Sequence, residues 1–381
     1  MKPLLHLMLL LQGIQLMAQS FTIQDIDVSV NAGTVLAVDT DLTNQGAIAN
    51  EGTMYLYGEW MNKGSYVSEQ GSLVFAGVAD QPIINETGQL ANVILEGGGN
   101  KIVSDSLLIT GRLEMTDGNI VVRKNAILLL DSAVEIVGAG KFSHVEGMLY
   151  RKGQGDLFYP LGAGDEYLPV TLYDVAGLSP KVGLQAYQAM ATNDLGNDLL
   201  DVSTRVYWRM DKDASYTNGY IALPYENEPF IQDVNHIVVA QANGLEDGFH
   251  TIGQSSIEGD NFAGLVRSEG LATGQIYAVA YVENPEKLPS IRVKNILTPF
   301  QDGKHDFLRI ENLELYEESL VEIFDRNGAL VFRLSDYDNR DRVFRGDTNK
   351  GPKHELPDGN YFYTIRSKDK MLKSGFLYLK R

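Results

Sequence analysis

The 381-residue sequence has no cysteine, which excludes disulfide staples, thiol nucleophiles and thiolate zinc sites. Its histidines never fall in an H-x-x-x-H or H-E-x-x-H spacing, so zinc-protease chemistry has no support. No G-x-S-x-G elbow, phosphate loop or dinucleotide loop occurs. Positive charge is short: the net charge is −18, and a nucleic-acid partner, which needs a basic face, is not expected. Long apolar runs are confined to the N-terminus. Beyond it, nothing reaches the roughly 20 residues of a spanning helix, and no stretch shows a helical period.

That N-terminus has a positive start at Met1-Lys2, an apolar run from Leu4 to Met17, and a small-residue cleavage site at Leu16-Met17-Ala18. It reads as a secretory signal peptide over residues 1–18. Charge is distributed unevenly behind it. From Glu286 onward 18 basic residues face 16 acidic ones, and the remainder carries 14 against 34. An acidic body therefore precedes a near-neutral tail, a balance that favours solubility outside the cell.

Residues 19–150 repeat a hydrophobic-x-Asn-x-Gly unit at Leu42–Gly46, Ile48–Gly52 and Trp60–Gly64. Short alternating runs such as Thr53–Tyr57, Ser72–Ala76 and Ala126–Leu130 lie between these units and beyond them. Three- to five-residue strands with Gly or Asn at every joint predict a β-solenoid of the parallel β-helix type, with rungs of about twenty residues. Five or six rungs are expected. Asn44, Asn50 and Asn62 are candidates for stacked amides at the corners. Tyr55, Tyr57, Trp60, Tyr66 and Phe75 are candidates for a sugar-stacking strip, which makes surface glycans a candidate partner.

Residues 151–282 change texture, with strand-like runs at Leu157–Leu161, Tyr167–Tyr173, Val206–Met210, Tyr220–Leu223, Ile237–Ala240 and Ile276–Ala280. A second β-sandwich is predicted. Asp194, Asp198 and Asp201 share one polar loop and Asp211 and Asp213 flank Lys212; carboxylate pairs of this kind serve glycosidases, but loop Asp residues are far more often turn formers. A proline-bearing linker, residues 283–290, then leads to the tail.

The tail, residues 291–381, opens on a polar loop in which Asp302 and Asp306 bracket Gly303, a candidate calcium site. No other cofactor is expected. The alternating run Ser319–Phe324 leads to Asn327-Gly328, expected to close a tight hairpin with both residues at positive φ. Leu356-Pro357-Asp358-Gly359 leads into Tyr361–Ile365, and the sequence closes on Gly375-Phe376-Leu377-Tyr378-Leu379-Lys380-Arg381. An Ig-like antiparallel sandwich is expected.

Phe324-Asp325-Arg326-Asn327-Gly328, Leu356–Tyr363 and Gly375–Arg381 resemble, in order, the motifs of the gliding-motility-associated C-terminal domain, the type B sorting signal of the type IX secretion system of Bacteroidetes. Phe344 stands where that family usually has tryptophan. The resemblance implies recognition by the outer-membrane type IX translocon and its shuttle proteins, followed by release to the cell surface or medium. The implied handles are Asn327, Gly328, Pro357, Asp358, Gly359, Tyr361, Gly375, Tyr378 and Arg381. The terminal strand would offer an edge for strand pairing, and Arg381 an ion pair. Ser106 and Ser132, each after an Asp and before an apolar residue, resemble the O-glycosylation pattern of such exported proteins.

The sequence as a whole predicts an all-β, non-enzymatic exported protein that does not span a membrane. Its body is expected to be an adhesin or structural element. Alternatives are a polysaccharide-binding or -degrading β-helix protein and an accessory component of the secretion apparatus.

Overall fold

The computed structural model describes residues 20–190, 195–196, 198–283, 291–300, 303–368 and 370–381. The predicted signal peptide, Asp194, most of the linker and Asp302 lie outside these residues. The chain is all-β, with 53% strand, and divides into two compact units, one ending at His144 and one running from Val145 to Arg381.

The first unit is a β-solenoid. In-register parallel pairs climb one side through Phe21↔Leu42, Leu42↔Trp60, Ile83↔Trp60, Gln81↔Lys101 and Lys101↔Ile120. A second side stacks Val35–Val38, Thr53–Leu56, Ser72–Phe75, Leu90–Leu95 and Ser106–Met115. A short third side holds Asp27–Val30, Ala47–Asn50 and Ser65–Val67. The stack makes about seven turns, slightly more than the repeat spacing predicts.

Strand alternation points every second residue inward, so in-register stacking puts like on like. Met54, Leu73, Val93 and Leu113 form one fully buried file, and Leu56, Phe75, Leu95 and Met115 another. The corners cannot be apolar, because each rung leaves backbone groups to satisfy there. Asn44 Nδ2 donates to Asn62 Oδ1 (2.7 Å), and Asn62 Nδ2 donates to Asn85 Oδ1 (3.0 Å). The same amides bridge to Ser65 O and Thr87 O on neighbouring rungs. Asn50 belongs to a different corner, where it reaches Tyr66 Oη and Ser72 O. The predicted ladder is thus Asn44–Asn62–Asn85, with Asn50 in a second position. The accompanying glycines answer a steric need: a Cβ on Gly64 would collide with the Gly46 carbonyl oxygen beneath it.

At the opposite end of the same side, other side chains satisfy the corner. Gln81 Nε2 donates to Leu56 O and Gly58 O, and its Oε1 accepts the Gly77 N–H. One rung on, the fully buried Lys101 donates from Nζ to the carbonyls of Gly77 (3.1 Å), Glu96 (2.8 Å) and Gly99 (2.6 Å).

In the second unit two antiparallel sheets form a sandwich. One runs in the order Leu149–Lys152, Lys181–Gln188, Val206–Lys212, Ile276–Tyr281, Ile237–Ala242 and His250–Thr251. The other runs Gly155–Tyr159, Val170–Gly177, Tyr216–Glu226, Ala263–Arg267 and Ser256–Gly259. The layers share a core in which the Tyr159 hydroxyl of one sheet donates to the Val182 carbonyl of the other (3.0 Å). Burial pushes the Tyr159 phenol far up from its usual range.

The C-terminal domain is a five-stranded sheet in the order Ile296–Leu297, Lys370–Leu379, Gly359–Ser367, Ser319–Phe324 and Leu330–Ser335. One face is covered by the short pair Arg292–Val293 with Ile310–Glu311, by the turn Leu313–Leu315, and by loops that bring in Tyr337, Phe344 and Leu356. Phe344 is fully buried against Phe332, with ring centroids 4.9 Å apart, so it fills the place expected for a tryptophan.

Replacing Asn62 by alanine removes the middle of the amide file and strands the Asn44 donor and Asn85 acceptor. We expect a loss of about 2–3 kcal/mol in urea unfolding, against well under 1 kcal/mol for the more exposed Asn92→Ala. Burial holds the Lys101 pKa down to about 8, against 10.5 for a free lysine. Between those values the unfolded chain keeps a proton the folded chain has released, so stability rises with pH there. In Lys101→Met that rise should flatten, with lower stability at every pH because three carbonyls lose their donor.

Candidate recognition site

The turn motifs of the C-terminal domain prove to be closures of its own fold. Asp325 Oδ1 accepts the N–H groups of both Asn327 and Ala329 (each 2.8 Å), and its carbonyl accepts the Gly328 N–H. This Asx cap starts the turn two residues earlier than predicted. Only Gly328 takes a positive φ (+82°), and the strands meet over a bulge between Ile323 and Phe324. The expected two-residue turn, with Asn327 also at positive φ, is corrected accordingly.

Leu356–Gly359 opens a strand and does not close a hairpin; the last two strands stay paired as far as Ser367↔Lys370. Pro357 offers its carbonyl to the Tyr361 hydroxyl (2.8 Å), and Tyr361 is buried. Asp358 Oδ1 accepts the Arg381 N–H (2.9 Å). Gly375 lies under the Tyr363 ring, where a Cβ would come within 2.5 Å of the hydroxyl oxygen.

Arg381 is drawn inward. Its guanidinium donates to Gly346 O (2.8 Å) and Leu356 O (3.2 Å), pairs with Asp347 (3.1 Å), and lies 3.5 Å from Glu355. The fork geometry of arginine suits such divergent acceptors. The side chain expected to reach a receptor is therefore committed to the loops of its own domain.

Both sheet edges are also partly occupied. Tyr378 N donates to Asn295 O and Lys380 N to Leu297 O, which covers the end of the terminal strand expected to lie open. At the far edge Asn349 imitates a strand: its Nδ2 donates to Arg333 O (2.7 Å) and its Oδ1 accepts Arg333 N–H (2.9 Å). Such coverage is how natural sheets avoid unwanted pairing.

What the domain leaves bare is the outward face of the sheet. Leu330, Phe324, Phe362 and Phe376 follow one another across four strands in register. Tyr378 and Ile296 adjoin them on the next row. Phe376 is 56% exposed, Phe362 49%, Tyr378 43% and Ile296 53%. Of this set sequence reasoning named Tyr378 as a handle and Phe376 as the start of the terminal strand, but not Phe362 or Ile296. The signal it passed over is Tyr361-Phe362-Tyr363, aromatic on both parities of one strand, where a half-buried strand would alternate with polar residues.

Other predicted residues are placed as follows. Asp306 Oδ2 accepts the Gly303 N–H (2.8 Å); with Asp302 outside the described residues, no group of three acidic or histidine side chains forms there among the described residues. Ser106 and Ser132 are both exposed, each with its N–H capped by the preceding aspartate (2.8 Å). Trp60, Tyr66 and Phe75 are buried inside the solenoid, which dismantles the predicted sugar-stacking strip; of that group Tyr57 is exposed and Tyr55 half-buried. The loop carboxylates act as caps. Asp198 binds His250 Nδ1 (3.1 Å) and Thr251 N–H (3.0 Å), Asp211 takes the Tyr150 hydroxyl, and Asp213 takes Ser215. Burial alone would raise the Asp198 pKa, but the bonds from His250 and Thr251 hold it below the usual value.

The C-terminal domain is thus a small β fold whose turn motifs close its own loops and whose sheet leaves one aromatic face exposed. Residues 291–379 match the family model described as CHU_C, the type IX secretion signal domain. This part of the chain is a type IX sorting domain, and it marks the protein for export through that system to the cell surface or extracellular space. No curated protein and no solved structure matches the chain. Among the described residues no helix is long and apolar enough to cross a membrane.

Arg381→Ala should lower the urea stability of the sorting domain by about 1–3 kcal/mol, since two carbonyls and a carboxylate lose their partner. Arg381→Lys should recover only part of it, because one ammonium cannot span the same acceptors.

Proposed function

We propose that this is a modular cell-surface or secreted protein of a type IX-secreting bacterium. A signal peptide takes it across the inner membrane. The sorting domain then hands it to the outer-membrane translocon and its shuttle proteins. The solenoid and sandwich are cargo and serve as a non-enzymatic adhesin or structural element. The match of residues 291–379 to the secretion signal carries the export reading. The scaffold reading is supported by carboxylates occupied as backbone caps and by solenoid corners filled with buried amides.

Two fractionations test it. Full-length protein should appear at the surface or in the medium, whereas a chain lacking residues 291–381 should stay in the periplasm with its body folded. Normal display of the truncated chain would refute the export reading. A strain lacking the protein should attach to surfaces several-fold less well; unchanged attachment and an unchanged surface layer would remove the adhesin or structural role.

A further inference from the structure

We propose that the outward sheet face centred on Phe362 and Phe376 is the surface by which the sorting domain docks on a protein of the type IX machinery, one whose matching face is apolar and rimmed by carboxylates. The inference rests on the secretion-signal reading and gives it a location. Large apolar side chains at the centre of a face, with charge at its margin, are the usual make-up of a protein-binding patch. Here the centre is the in-register pair Phe362↔Phe376, with Tyr378 beside it.

The margin has a sign. Arg366 and Lys380 are exposed on this side, and Arg333 is joined to Glu322, the one carboxylate among the strands' outward residues, at 3.6 Å. Of the carboxylates nearby, Glu322 is paired with Arg333 and the exposed Asp358 accepts the Arg381 N–H, which leaves Arg366 and Lys380 to give the margin its positive sign. It selects an acidic rim on the partner and disfavours face-to-face pairing of two copies, which would set Arg366 and Lys380 against their own kind. The aromatic side chains also sit on paired sheet strands and not on a loop or helix that could insert among lipid chains. A protein face fits them better.

The test uses full-length protein in a cell with an active type IX system. Phe362→Ser combined with Phe376→Ser should cut the surface fraction at least tenfold, with folded protein accumulating in the periplasm and an unchanged urea midpoint. Arg366→Glu combined with Lys380→Glu should cut it several-fold, and carries the test if the serine pair proves unstable. A photo-crosslinking side chain at position 376 should yield an adduct containing a translocon or shuttle component. Wild-type display of both double variants, alongside trapping of the chain lacking residues 291–381, would overturn this docking face and leave the sorting role intact. Normal display of that truncated chain would remove both. Phe-dependent sedimentation with phosphatidylglycerol–phosphatidylcholine vesicles, or a Phe-dependent dimer by light scattering, would also overturn the proposal.

Discussion

The fold depends on partners for polar groups at places where strands turn. A solenoid rung and a small sandwich both bend the backbone every few residues, and each bend leaves carbonyls and N–H groups that no strand can take. In the solenoid the Asn44–Asn62–Asn85 file, Gln81 and Lys101 fill this need by reaching from one rung to the next. In the sorting domain Asp325 does so within its own turn, and Asp358 and Arg381 do so between segments far apart in sequence. The apolar core supplies bulk stabilisation, while these polar clasps fix register. A one-residue slip in such a strand would turn its buried apolar residue and its buried amide out to solvent together, as with Leu42 and Asn44 or Trp60 and Asn62.

This division explains which residues were legible in the sequence. Strand periodicity, glycine corners and the order of the C-terminal motifs marked the solenoid and the sorting domain, because those signals are local. The Asn ladder was half visible: Asn44 and Asn62 sit in matching units, but Asn85 arrives without the same flanking pattern. Lys101 could not be read at all. A lysine in Asn100-Lys101-Ile102 looks like a surface residue until the fold brings the Gly77 carbonyl of the rung beneath and the Glu96 and Gly99 carbonyls of its own turn around it. The aromatic strip failed for the same reason, since alternation alone does not say which parity faces inward in a chain that turns three corners per rung.

In the sorting domain the motifs were legible as motifs and misread as handles. Tyr361, Gly375 and Arg381 are required by internal packing, which is sufficient reason for their places. The accessible candidates, Phe362 and Phe376, lie inside two of the motif stretches but point outward, on the opposite parity from the buried Tyr361 and Tyr363 and from Gly375. A pattern that identifies a domain need not touch its receptor; it can be what keeps the receptor-facing surface in shape.

The sorting domain also brings its two ends side by side. Ile296–Leu297 runs parallel to Tyr378–Leu379, with Asn295 and Leu297 holding the N–H groups of Tyr378 and Lys380. Tension applied to the chain on either side of the domain therefore pulls these neighbours along their length, straining their hydrogen bonds together and not one after another. The solenoid has no such clasp between its first and last rungs and can peel from an end. A pull on the two ends of the sorting domain instead meets a shear joint.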